Sequence, residues 1–135
     1  MKKVLFTVAL MFGAMVASAQ VSVVKEAKAM KKDPAAAAKV LEAALTNPET
    51  ANDPETWKLA GDLQKAIYDE ENMKMYLPGG QADMPRMYNS LVKMFEYYLK
   101  CDDVEQAGIA NGTVKKAKLR KKNAENLLKV RTNLS

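Results

Sequence analysis

The sequence predicts an all-α protein built from antiparallel helical hairpins, about five helices in all. Small and apolar residues recur at i, i+3, i+4 and i+7 along most of the chain, the spacing that gathers side chains on one helix face. No run of Val, Ile and Thr alternates with polar residues over the length of a strand. Three start signals then divide the chain. Asp33-Pro34, Asp53-Pro54 and Asp83 ahead of Pro85 each set a capping side chain just before a Pro. Such a Pro costs nothing in the first turn, where its missing N–H would have no helical partner.

Taken in order, Val21 to Lys32 forms a first helix, with Val24, Ala27, Lys28 and Lys31 at helical intervals. A second helix follows Asp33, and its Ala37, Val40, Leu41, Ala44 and Leu45 make a buried stripe that Asn47-Pro48 ends. A third helix runs from Pro54 to about Tyr76 along Trp57, Ala60, Gly61, Gln64, Ile67 and Tyr68. Pro78-Gly79-Gly80 breaks it. Asp83 caps a fourth, whose inward side is expected to be Tyr88, Leu91, Val92, Phe95, Tyr98 and Leu99. Residues 102–112 read as a polar loop. The last helix is expected from Thr113, as its N-cap, to about Arg131, with a basic polar face.

Residues 1–19 have the order of a secretory signal peptide: Lys2-Lys3, the apolar run Val4 to Val16, and Ala17-Ser18-Ala19 as a small-x-small cleavage site. That run is short for a membrane span. Gln20 stands where a lipid-anchored chain would carry Cys, so a mature chain from residue 20, periplasmic or secreted, is expected. The single cysteine, Cys101, has no partner for an internal disulfide; it is either a small buried side chain at a helix end or a thiol open to another molecule. Charge is uneven. Residues 113–135 hold eight Lys or Arg against Glu125, and residues 20–112 hold eleven against fifteen Asp or Glu. A basic final segment thus follows an acidic body.

Trp57-x-x-Ala60-Gly61-x-x-Gln64 resembles the first helix of a tetratricopeptide repeat, and Leu91-x3-Phe95-x2-Tyr98 with its Leu99 to Asp103 exit resembles the second helix. Ala37-x3-Leu41-x2-Ala44 resembles the close of an earlier, atypical unit. Together with the leader and the basic ending, the chain resembles the N-terminal part of secreted tetratricopeptide-repeat proteins of Gram-negative gut bacteria. The resemblance implies an α-solenoid fragment: an atypical first repeat over 20–50, a repeat with a long inter-helix insertion over 53–103, and a basic capping helix over 113–131. It implies that Trp57, Ala60, Gly61, Gln64, Phe95 and Tyr98 pack between helices. It also implies that Glu55, Lys58, Asp62 and Lys65, on the opposite side of the third helix, contact a protein or peptide partner.

Catalysis is poorly supplied. The chain has no His, which removes the commonest general base and metal ligand. Asp69, Glu70 and Glu71 are consecutive, so they fan around a helix. Met73, Met75, Met84, Met87 and Met94 could offer soft sulfur to a metal, but thioethers also fill irregular helical cores, and that is the expectation here. No cofactor or metal is expected. Lys115, Lys116, Lys118, Arg120, Lys121 and Lys122 could hold an anionic surface, lipid headgroups or lipopolysaccharide, or could lie over the acids at Asp69 to Glu71 or Asp102 to Glu105. No aromatic residue stands among them to stack on a base, and nucleic acid is not expected. The expected function is a non-catalytic adaptor or scaffold for protein–protein interaction, the alternative an anionic-envelope binder.

Overall fold

The computed structural model describes residues 21–134, and the expected leader lies outside them. Among the described residues the fold is all-α, with six helices where five were expected. Residues 21–29 form α1, shorter than expected because Met30 to Lys32 turn and the Asp33 N–H closes on the Met30 carbonyl at 2.9 Å. Then come α2 (Pro34–Thr46), α3 (Pro48–Ala51), α4 (Pro54–Lys74), α5 (Met84–Asn111) and α6 (Leu119–Leu134). The extra helix is α3. Asn47 not only ends α2 but also caps α3, its side chain accepting from Glu49 N at 3.0 Å. The Asp signals act as capping logic requires: Asp33, Asp53 and Asp83 accept from Ala36, Glu55 and Arg86 N–H groups at 3.0–3.2 Å.

Helix α4 is the centre of the molecule. Its Leu59, Ala60 and Leu63 meet Ala27 of α1 and Ala37, Leu41 and Ala44 of α2. On another side Tyr68 meets Met87, Met94 and Tyr98 of α5 and Val130 of α6. The hairpin α4–α5 is antiparallel: Cys101 Sγ donates to Pro54 O at 3.3 Å at one end, and Asp83 N donates to Glu71 at 2.7 Å at the other. Between them Tyr98 lies against Gly61, so close that a Cβ at position 61 would overlap its ring. Helix α6 returns antiparallel to α5 and lies in the α4–α5 groove, where Asn126 Nδ2 reaches both Tyr98 Oη at 3.1 Å and Asp62 at 3.4 Å.

Helix α5 departs from expectation in two ways. It continues through residues 102–111, because its inward positions there, Cys101, Glu105 and Gly108, keep the helical spacing without apolar bulk. Its face is also rotated. The buried residues are Met87, Ser90, Met94 and Tyr98, while Tyr88, Val92, Phe95 and Leu99 are 54%, 55%, 43% and 59% exposed. Phe95 is therefore not a core packing residue within this chain. The last helix starts at Leu119, not Thr113. Gly112 takes φ 84°, and Thr113 and Val114 N–H groups return to Gly108 O at 2.9 and 3.0 Å, so Thr113 helps close α5 and does not open α6. Met87 and Met94 are core; Met73, Met75 and Met84 are exposed.

Candidate functional site

The first turn of α4, the last turns of α5 and the 112–118 connection enclose an open cleft of about 1080 Å³. Each wall follows from a local feature. Capping by Asp53 begins α4 beneath α3, which brings Glu49, Asp53 and Glu55 to one side. After the left-handed turn at Gly112, Lys115, Lys116 and Lys118 line the same cleft. Asp103 and Lys100 of α5 stand between, and Pro54, Val104 and Leu119 give an apolar lining. Among the described residues, Glu49, Glu55, Asp103, Lys115, Lys116 and Lys118 enter no ion pair.

Glu105 holds the two walls together. Its buried carboxylate accepts from Leu119 N at 3.1 Å and Arg120 N at 3.4 Å, so α5 supplies the N-terminal cap of α6. A carboxylate there also meets the positive end of the α6 dipole. Next to it, Asn123 Nδ2 donates to Asp102 at 3.0 Å. Cys101 is buried among Trp57 and Leu119, and burial pushes its thiol up to about 11. It is a packing residue, not a reactive thiol.

Of the residues expected to contact a partner, only Glu55 opens on the cleft. Lys58, Asp62 and Lys65 do not present a free face. Lys58 Nζ binds Asp62 at 2.7 Å, Tyr98 Oη donates to the same carboxylate oxygen at 2.6 Å, and Lys65 Nζ binds Asp69 at 2.7 Å. Helix α6 covers this side of α4 through Asn126. Burial and the Asp62 charge raise the Tyr98 hydroxyl well above the usual phenol range. Trp57, Ala60, Gly61 and Gln64 are buried; Trp57 Nε1 donates to Ala51 O at 2.7 Å, and its ring packs 5.9 Å from that of Tyr97.

The basic run splits in two. Lys115, Lys116 and Lys118 line the cleft, whereas Arg120, Lys121 and Lys122 project from the first turn of α6. The cleft residues that sequence reasoning missed are Glu49, Asp53 and Lys100, because nothing in their local spacing says that four separate segments converge; Asp103 lies within the acids that the basic run was expected to reach. Among the described residues no group of three or more His, Cys, Asp or Glu is placed to hold a metal, and no helix is long and apolar enough to cross a membrane. The chain matches no family model, and neither a curated protein nor a solved structure shows significant similarity to it.

Proposed function

We propose that this protein is an exported, non-catalytic helical-repeat adaptor or scaffold, and that its cleft takes a polar peptide segment of a protein partner. The observation that carries the reading is one cleft lined both by acids, Glu49 and Glu55, and by bases, Lys115, Lys116 and Lys118, none of them in an ion pair among the described residues. Such a cleft suits a segment carrying both charges over a short apolar contact, since complementary charges across a contact fix its register. The repeat reading is supported by the close Gly61–Tyr98 contact and by α6, which runs parallel to α4 where the first helix of a following hairpin would lie. Export rests on the order of residues 1–19.

A display library of short peptides selected against the purified protein tests this. The expected outcome is enrichment of peptides bearing both an acidic and a basic residue, with binding weakened at least tenfold by Glu55→Lys and by Lys116→Glu. Failure to enrich, or binding indifferent to both reversals, would remove the reading. A second reading is favoured by Arg120, Lys121 and Lys122, which are exposed in the first turn of α6 and enter no ion pair among the described residues: attachment to anionic envelope surfaces. It predicts co-sedimentation with phosphatidylglycerol vesicles that fades steeply with salt and is lost in Lys121→Glu/Lys122→Glu.

A further inference from the structure

Helix α5 carries a second apolar stripe that nothing among the described residues covers. Tyr88, Val92, Phe95 and Leu99 are about half exposed each, and Met84 beside them is 37% exposed. Their steps of four, three and four match the seam of a coiled coil, where apolar residues recur on average every 3.5 positions. We propose that this seam pairs with the same seam of a second copy, antiparallel, about a two-fold axis between residues 93 and 94. The proposal is independent of the adaptor reading and does not use the cleft.

Three observations select a second copy. In an antiparallel pair the axis sets Tyr88 against Leu99 and Val92 against Phe95 of the other chain, so aromatic and branched side chains alternate across the contact. The open flank of the seam carries Asn89 and Glu96, while the opposite flank, Leu91 and Tyr98, is turned toward the molecule's own core. Antiparallel pairing places Asn89 beside Glu96 of the second copy, twice, an amide donor against a carboxylate. Glu96 has no ion-pair partner among the described residues. The area also fits. The exposed parts of the seam offer roughly 400 Å² of apolar surface per copy, and a standard interface buries about 800 Å² per partner, somewhat over half of it apolar.

Sedimentation equilibrium of the purified protein, from low to high micromolar concentration, tests the inference. The expected mass rises to twice that of the chain, and Phe95→Glu holds it at one chain while the helical circular-dichroism signal is unchanged. Val92→Lys, at a position more than half exposed, is a second disruption that leaves folding intact. Asn89→Glu, which sets two carboxylates together, is expected to weaken the dimer at least tenfold, and adding Glu96→Lys is expected to restore it. A single-chain mass throughout the range would overturn the inference. So would a dimer that survives Phe95→Glu and Val92→Lys, which would place the contact elsewhere.

Discussion

Position 61 lies against α5, and the ring of Tyr98 occupies the space a Cβ would need. A helix-interior Gly usually costs about 1 kcal/mol relative to Ala, so replacing it normally stabilises. Here the sign reverses. Gly61→Ala forces the ring aside and disturbs the hydroxyl that Asp62 and Asn126 share; a loss of about 1–3 kcal/mol is expected in urea unfolding. Gly61→Ala as stable as the native chain would mean that the hairpin is looser than described. The small-residue step Ala60-Gly61 beside Trp57 was legible in sequence as a point of close approach. Its partner Tyr98 was among the residues expected inward, but so were Phe95 and Leu99, because α5 offers two apolar stripes of helical spacing and periodicity alone cannot say which one turns inward.

At the scale of elements, the starts of α2, α4 and α5 were legible, while the start of α6 and the end of α5 were not. Asp and Asn caps act within three residues of themselves, so a reader of the sequence sees both partners. The cap of α6 comes from Glu105, fourteen residues ahead of Leu119, and such an acceptor leaves no local signature. For the same reason residues 102–111 read as loop: their inward face is spent on a carboxylate and a Gly, not on apolar bulk. Glu105→Ala leaves the first N–H groups of α6 without an acceptor in a buried site. A loss of about 2 kcal/mol is expected, with amide exchange faster in α6 than in α4. Uniform exchange in both helices would show that α6 does not depend on this cap.

The loop joining α4 to α5 is tied by Glu71. Its buried carboxylate accepts from Lys74 Nζ at 2.7 Å, from Asp83 N at 2.7 Å and from Arg86 Nη1. Lys74 first, then the Asp83 N–H and Arg86, hold its pKa down to about 2 from an ordinary 4.5. A carboxyl held below its unfolded value contributes stability that is fully present above pH 4.5 and is lost as pH falls toward 2. Stability measured across that window should therefore fall with acid in the native chain, and fall less in Glu71→Gln, whose stability is already lower at pH 7. Parallel acid curves for the two proteins would remove Glu71 from the account.

At the scale of the whole molecule, sequence reasoning yielded an all-α chain, an acidic body and a basic ending, but not what their assembly makes. The basic run was open to two placements, against the acids or against an anionic surface, and the fold divides it between the cleft and the exposed first turn of α6. Lys115, Lys116 and Lys118 share the cleft with Glu49, Glu55 and Asp103, while Arg120, Lys121 and Lys122 stand outside it. Of the face expected to meet a partner, Asp62 is held by Lys58, by Tyr98 and by Asn126 of α6, Lys65 pairs with Asp69, and Glu55 lines the cleft. Neither outcome follows from local spacing, because both depend on α6 folding back into the groove between α4 and α5. Backbone chemical-shift mapping, with the tightest-binding peptide from the selection titrated into the protein, tests the central claim most directly. Shifts gathered in 49–55, 100–108 and 113–119, with 58–65 and 120–131 unmoved, are the predicted result; shifts confined to 58–65 or to α6 beyond Leu119 would contradict it.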